Sequence, residues 1–460
     1  MIEHTTTECL LFPDLFDRPV VAKFDQQQGS SDGGAVLLKA ADQRLGLTAS
    51  LAACLKDERQ PGKTWHEIEE LLTQRVMGIA LGYEDANDAA RLASDPVHKL
   101  LVGREPLDGE DLASQPTLSR FENAPDRKQL FRLGEALADC VMERHRQRLH
   151  GRARRITIDL DPTDDPTHGQ QQFSFFNSHY DGHCYLPVVC FLTFNDEAEQ
   201  YLVAAVLRPG NVSGSCGAIG ILLRLLGRLD RAFPGAVFRV RLDGGFAAPE
   251  ILEFLDSQPR VEYVVNLASN AVLDRMVEPA LRRARRLSKK SGETEHVYGE
   301  FRYKTQKSWE DKRRIIYKAE VTRHPHRDPK DNPRFVVTNM KQSPQWLYEQ
   351  VYCQRGDLEN RIKELHYGME IGRTSCTNFW ANQFRVLMTA AAYVLMQELR
   401  LRLARTDCAR AQVSTLRERF LKLGVQVIAS VRRIVLHLPH AFPHRDGFYR
   451  LAVSLGAQTG

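Results

Sequence analysis

The chain has 460 residues, 43% of them hydrophobic and 26% charged, with a formal net charge of +5 and a mean hydropathy of −0.38. Such a length suits about three domains of roughly 150 residues each, with enough apolar content for a sizeable core. The acidic start MIEHTTTECLLFPDLFDR has no basic leader region, and the apolar run Val386–Met396 is far short of the ~20 residues of a membrane span, so secreted and membrane classes are excluded.

Nine cysteines at 9, 54, 140, 184, 190, 216, 353, 376 and 408 form no C-x-x-C pair. Their odd count and scatter speak against a disulfide framework or zinc ribbon and for a reducing cytoplasm. The charge is unevenly placed. Residues 1–150 carry 18 basic and 25 acidic side chains, and residues 151–280 carry 11 and 16. Residues 281–340 carry 17 and 8, and residues 355–460 carry 16 and 8. A basic second half suits a polyanionic partner, because neutralising phosphates releases counterions; a solvated basic face would give the same count.

Residues 35–150 read as helical. Trp65–Leu81 has apolar positions at helical spacing, and Gly82 is a candidate C-cap. Ser114–Asn123 carries start signals and a weak likeness to a helix-turn-helix element, although a core helix accounts for it as well.

From Arg155 the pattern changes. Ile156–Leu160, Tyr185–Phe194, Glu199–Leu207, Val237–Asp243 and Val261–Leu267 read as strands. Helical runs at Ala218–Phe233 and Pro249–Ser257 separate the last three. The first three strands are joined by short connections, as antiparallel strands can be; the later ones need crossover helices and hence parallel pairing. Residues 268–346 interrupt this series with a basic helix, Leu281–Lys290, and strand-like pieces at Glu300–Lys304, Arg314–Lys318 and Arg334–Thr338. They read as an inserted, mostly β subdomain. After 346 the chain reads as helical to its end.

Three acids draw attention. In Arg155-Ile-Thr-Ile-Asp-Leu-Asp161, Ile156, Ile158 and Leu160 share one face, while Thr157, Asp159 and Asp161 share the other. Pro162 stops this strand just after Asp161. The fourth strand repeats the design: Arg239, Arg241 and Asp243 alternate with Phe238, Val240 and Leu242, and Gly244-Gly245 end it. Carboxylates at the carboxyl ends of neighbouring strands could share a metal, since ligands in α/β sheets gather there. Each Asp taken alone also fits a turn or cap, and Asp159 is a rival ligand. In the helix expected over Leu347–His366, Tyr352, Arg355, Glu359 and His366 fall within about 60° of one another at 100° per residue. They border the apolar stripe of Leu347, Val351, Leu358, Ile362 and Leu365. A carboxylate, an Arg and a Tyr on one edge suit a metal ligand flanked by phosphate-binding groups.

Together with further motifs, these features resemble the DDE insertion-sequence transposases, which have a ribonuclease-H-like catalytic core. The motifs are Gly82-Tyr-Glu-Asp-Ala-Asn-Asp88, Leu112-Ala-Ser-Gln-Pro-Thr-Leu-Ser-Arg120, Asp159-Leu-Asp-Pro-Thr-Asp-Asp-Pro-Thr-His-Gly-Gln-Gln171, Cys184-Tyr-Leu-Pro187, Leu207-Arg-Pro-Gly-Asn211, Asp243-Gly-Gly-Phe246 and Asn382-Gln-Phe-Arg385. The likeness is to the bacterial group numbered thirteen-eighty, in the class with a Tyr-x2-Arg-x3-Glu-x6-Lys signature.

The resemblance implies an α/β fold: a ribonuclease-H-like mixed sheet flanked by helices, with a β-rich insertion and helical N- and C-terminal regions. It implies catalytic, metal-binding Asp161, Asp243 and Glu359, with Tyr352 and Arg355 at the signature's Tyr and Arg. His366 stands where the signature has Lys, and His titrates near 6.5. DNA contacts are expected from Tyr352, Arg355, His366, Arg282, Arg283, Arg285, Arg286, Lys289 and Lys290.

The expected organisation is a helical end-binding and assembly region (1–150), a first part of the core (151–267), a basic β-rich insertion (268–346), the catalytic helix and end of the core (347–400) and a helical C-terminal region (401–460). The implied function is cut-and-paste transposition of a bacterial insertion sequence. It would use two Mg²⁺ (or Mn²⁺) ions, terminal inverted repeats and target duplex DNA as partners, and a homodimer assembled on DNA, in a cytoplasmic, nucleoid-associated protein. Two alternatives are a DNA-binding protein derived from a transposase, and a metal-dependent endonuclease that does not join. Other clusters have plainer readings. His168, His179 and His183 lack ligand spacing with Cys and read as polar loop residues, and Trp309, Trp346 and Trp380 could stack on a base or serve the core.

Overall fold

The computed structural model describes residues 9–14, 17–305 and 308–458. The chain divides into two compact units, one of residues 45–56 and 122–394, the other of residues 1–44, 57–121 and 395–460.

The first unit is built on one mixed sheet. Its strands are β1 (Arg155–Pro162), β2 (Val188–Phe194), β3 (Tyr201–Val206), β4 (Val237–Leu242), β5 (Val261–Leu267), β6 (Glu295–Tyr303), β7 (Arg313–Thr322) and β8 (Arg334–Thr338). They lie in the order β6-β7-β8-β5-β4-β1-β2-β3, with the short strand Lys330–Asp331 beside β7. β1, β2 and β3 pair antiparallel, whereas β4 is parallel to both β1 and β5. This is the ribonuclease-H-like α/β arrangement that the resemblance implies.

The alternation within the strands explains the layering. Ile156, Ile158, Leu160, Phe238, Val240 and Leu242 are buried on the apolar face. That face needs a helical cover, and crossover helices supply it. Helices α1 (Arg127–Arg148), α2 (Ala218–Ala232) and α3 (Pro249–Ser257) belong to this unit. Asp126 and Gln129 form a reciprocal cap at the start of α1. The expected apolar run lies inside α6 (Phe379–Arg402), which is buried on every side from Ala381 to Arg400 and is therefore a core helix. Among the described residues, no helix is long and apolar enough to cross a membrane.

Residues 268–346 do not stand apart from the sheet. β8 pairs antiparallel with β5 and β7 with β8, so the inserted strands extend the core sheet at its edge. The β5–β8 ladder joins Val264–Leu267 to Phe335–Thr338, and Val264, Val265, Val336 and Val337 are fully buried. Apolar burial at the seam is what favours edge addition over a separate core. The basic helix α4 (Ala271–Ser291) runs from an Asn270 cap, whose side chain accepts from the amides of Val272 and Leu273, to a left-handed Gly292.

The second unit interleaves the two ends of the chain. Ile68–Leu81 is a helix ended by Gly82 at φ 91°. Gly29–Ser30 pairs with Val425–Ser430, which pairs in turn with Arg433–His437. Residues 401–460, expected as helical, thus include a β-hairpin. Buried Asp32 accepts from His98 Nε2 at 2.8 Å and meets Lys422 Nζ at 2.8 Å, tying the ends together.

Candidate active site

The site lies at the carboxyl ends of β1 and β4. The parallel register sets Arg241 beside Asp159. Continued by two residues, it sets Asp243 beside Asp161. The two acids share the polar face for the same reason that Ile158 and Val240 share the apolar one. Asp161 is mostly buried, Asp243 half-buried and Glu359 exposed.

Burial pushes the Asp161 carboxyl up to about 7. The Arg355 guanidinium opposes that rise, and the charges of Asp243, Glu359 and Asp159 add to it. Asp161 is thus the point where the fields of the other two acids meet. Arg355 Nη2 donates to Asp161 Oδ1 at 2.5 Å, while the buried Nε of Arg355 has no hydrogen-bond partner. Asp243 Oδ1 accepts from the Gly245 amide at 2.9 Å, so this acid is also the cap of the turn Gly244–Phe246. Among the described residues, no three His, Cys, Asp or Glu side chains converge at metal-ligand distance.

Asp159 has a different role from its neighbour. It is fully buried, and Arg241 clasps it with Nε at 2.7 Å and Nη2 at 2.6 Å. Gln200 Nε2 adds a third bond at 2.9 Å. With both oxygens taken, Asp159 serves as an internal counter-ion. Arg241 Nη1 also donates to the Val351 carbonyl at 3.2 Å.

That carbonyl explains how the helical segment departs from expectation. In place of one regular helix over 347–366, Pro344–Trp346 leads into a π turn at Leu347–Tyr352, then a 3₁₀ turn at Cys353–Arg355, then α5 (Gly356–Met369). The π turn underwinds the chain and the 3₁₀ turn overwinds it, so a uniform 100° step does not hold. A side chain that takes a carbonyl from the helical ladder is a known cause of such a break. Tyr352 and Arg355 still reach the acids: the Asp243 charge helps raise the Tyr352 pKa, although burial is the larger cause and Arg355 opposes it.

His366 lies elsewhere on the same helix. Its Nε2 is 2.8 Å from Thr163 Oγ1. Burial holds its pKa below 6.5 against the pull of Asp164 and Glu370, so the ring is neutral at pH 7. It cannot supply the cation that a lysine would. On α4, Arg282 and Arg285 pair with Glu278, and Arg285 also pairs with Asp331. Arg283, Arg286, Lys289 and Lys290 are exposed, without an ion pair among the described residues.

Tyr180 was not singled out from the sequence. It sits on the hairpin between Phe175–Asn177 and Gly182–Tyr185. Burial pushes its hydroxyl up to about 12, with contributions from the charges of Asp164, Asp161 and Asp243. No motif marks this tyrosine; only the fold brings it to the acids. Of the neighbouring histidines, His179 packs edge-on against Tyr180 and His183 against Phe176. Trp309 is buried against Tyr303, Trp380 packs on Phe379, and Trp346 lies under Arg239.

The family described as Transposase DDE domain group 1 matches residues 12–458, nearly the whole chain. The chain belongs to this family. A comparison with curated proteins gives no match. Membership makes the protein a DDE transposase, whose family works in DNA transposition and recombination with divalent metals. The carboxylates that give such transposases their name correspond to oxygen-only donors suited to hard cations.

Proposed function

We propose that this transposase belongs to a bacterial insertion sequence of the thirteen-eighty type, binds the terminal inverted repeats of its element, cuts there and joins the ends to target DNA. Asp161, Asp243 and Glu359 are the catalytic acids in this reading. The observation that carries it is the coupling of Asp161 to both of the others, at the ends of two adjacent parallel strands.

The donor chemistry, three carboxylates, suits divalent cations, although the three do not converge at metal-ligand distance. A buried carboxyl raised to about 7 beside two further acids is a donor set short of positive charge. Asp161, Asp243 and Glu359 would hold two Mg²⁺ or Mn²⁺ ions, which supply charge neutralisation on the attacking and leaving oxygens of an in-line phosphoryl transfer. The remaining groups position DNA. The guanidinium of Arg355, at Asp161, is a fixed fork of donors of the kind that suits a phosphate. Tyr352 and Tyr180 lie within the field of the acids, and in this reading their hydroxyls hold a displaced phosphate or sugar. The unpaired Arg283, Arg286, Lys289 and Lys290 offer a clamp for the duplex backbone. Strand transfer at two ends calls for two protomers on DNA, and the substrate places the protein with the bacterial nucleoid in the cytoplasm.

Paired element ends with Mg²⁺ test the reading. Cleavage followed by joining is expected. Cleavage without joining would support the endonuclease alternative, and binding without cleavage the alternative of a protein that kept only the scaffold. Asp243→Asn should abolish both chemical steps and leave DNA binding in place; retained cutting would remove Asp243 from the catalytic set.

A further inference from the structure

The second unit carries a β-ribbon with no role in the chemistry above. Its strands, Val425–Ser430 and Arg433–His437, are joined by the two-residue turn Val431-Arg432. At the base, Val427 is fully buried and Gly29–Ser30 pairs with the first strand. At the tip, Ser430 Oγ donates to the Arg433 carbonyl at 3.0 Å and accepts from the Arg433 amide at 3.3 Å. The ribbon is thus anchored at one end and closed at the other.

The tip residues are not those a turn would select. Two-residue hairpin turns favour Asn-Gly, Asp-Gly or a leading Gly. Here a β-branched apolar residue and an arginine occupy both places. Val431 is fully exposed, and below it Ile428 and Ile434, 44% and 42% exposed, lie on opposite faces of the ribbon. The exposed apolar surface is thus concentrated at the tip, with one isoleucine on each face below it, where it is open to a partner.

Its charge says what kind of site. Arg419 and Lys422 pair with Asp407 and Asp32, whereas residues 423–445 carry Arg432, Arg433 and Arg445 and no acid. Arg432 and Arg433 are exposed and have no ion-pair partner among the described residues. An apolar tip flanked by two free guanidiniums matches a polyanion with a stacked apolar interior. A two-stranded ribbon fits a DNA groove, and apolar wedges between base steps with Arg on the groove walls are a recurring way to bind and bend duplex.

We infer that the ribbon Val425–His437 is a second DNA-contact element: its tip enters the groove of a duplex, Val431 packs at a base step, and Arg432 and Arg433 bind flanking phosphates. This inference rests on the transposase reading for the nature of the polymer, and it adds a site that none of the signature residues supplies.

The test uses the full chain and a 30-base-pair duplex, with affinity measured across a salt series and bending measured by end-to-end energy transfer. Arg432→Ala/Arg433→Ala should weaken binding at least tenfold at 100 mM KCl. It should also flatten the log affinity against log salt slope by about 1.8, two phosphate contacts at roughly 0.9 each. Val431→Ser should leave the slope unchanged, lower affinity several-fold and reduce the bend. All three side chains are exposed, so the variants should melt with the wild type, and circular dichroism checks this. Variants that match the wild type in affinity, slope and bend would overturn the ribbon inference alone. A wild-type dimer that Val431→Ser converts to monomer, with DNA affinity unchanged, would overturn it in favour of a second copy of the chain on this surface. A wild type that binds no duplex would overturn the transposase reading and this inference together.

Discussion

Arg355 and Asp161 are 194 residues apart in sequence, and the guanidinium of one holds the carboxylate of the other at 2.5 Å. The arginine engages Oδ1 of Asp161, so a cation binding that oxygen would have to displace it. Arg355→Gln should therefore tighten Mn²⁺ binding several-fold in the absence of DNA, read by calorimetry. The same substitution should slow cleavage more than tenfold, because the phosphate loses its donor. Weaker Mn²⁺ binding in the variant would show that Arg355 organises the acids and does not compete.

Asp159 is expected to matter for stability and only indirectly for chemistry. Asp159→Ala leaves Arg241 charged and buried without its partner, a loss of about 3–5 kcal/mol by the usual cost of breaking a buried pair. Urea unfolding would measure it. The double variant Asp159→Leu/Arg241→Met should recover a large part of the loss, since neither charge then remains to be solvated. It should still cleave poorly, because the bond from Arg241 to the Val351 carbonyl is gone.

Asp165 gives a pH signature. Burial pushes its carboxyl up to about 8, with Asp164 adding to the rise and a hydrogen bond from Thr374 opposing it. An acid with a folded pKa above its unfolded value of 3.8 binds more protons when folded between those two limits. Stability from this group is therefore complete below about 4 and declines as pH rises toward 8. Asp165→Asn should flatten that part of the stability–pH curve and unfold at higher urea than the wild type at pH 8. Parallel curves for the two proteins would show that Asp165 is ionised in the fold.

Gly210 tests the hairpin that carries Tyr180. A Cβ at this position would stand 2.0 Å from the Cys184 carbonyl oxygen and 2.7 Å from that of Phe175, both backbone atoms that cannot swing aside. Gly210→Ala should cost about 1–3 kcal/mol in overpacking. It should also raise the KM for DNA if the hairpin positions substrate. A variant with wild-type melting temperature and KM would remove the hairpin from the site.

The strand and helix series from Arg155 to Leu267 was legible because its strands are short runs rich in Val, Ile, Phe and Tyr, and β1 and β4 alternate polar with apolar residues. That pattern put Asp161 and Asp243 on the polar faces at the ends of their strands, but that the two strands are neighbours is seen only in the fold. The winding of residues 347–355 was not legible, since it depends on Arg241, a residue 110 positions upstream, reaching the Val351 carbonyl. Nor was the edge addition of β6, β7 and β8. A strand that extends a sheet and one that starts a new sheet have the same local pattern, and only the Val264–Val337 seam tells them apart. Tyr180 was hidden for a related reason: its neighbours in space are acids from other strands. The ends of the chain misled through buried Asp32, whose partners, buried His98 and half-buried Lys422, lie 66 and 390 residues away.

The continuous ladder from β6 to β1 has a mechanical consequence. Helix α4 rests on strands that are stitched, one to the next, to the strand ending at Asp243. Tension applied to α4 by a bent duplex would be carried as shear through those backbone rungs and reach Asp243, the carboxylate proposed above as catalytic, without a joint at which it could relax.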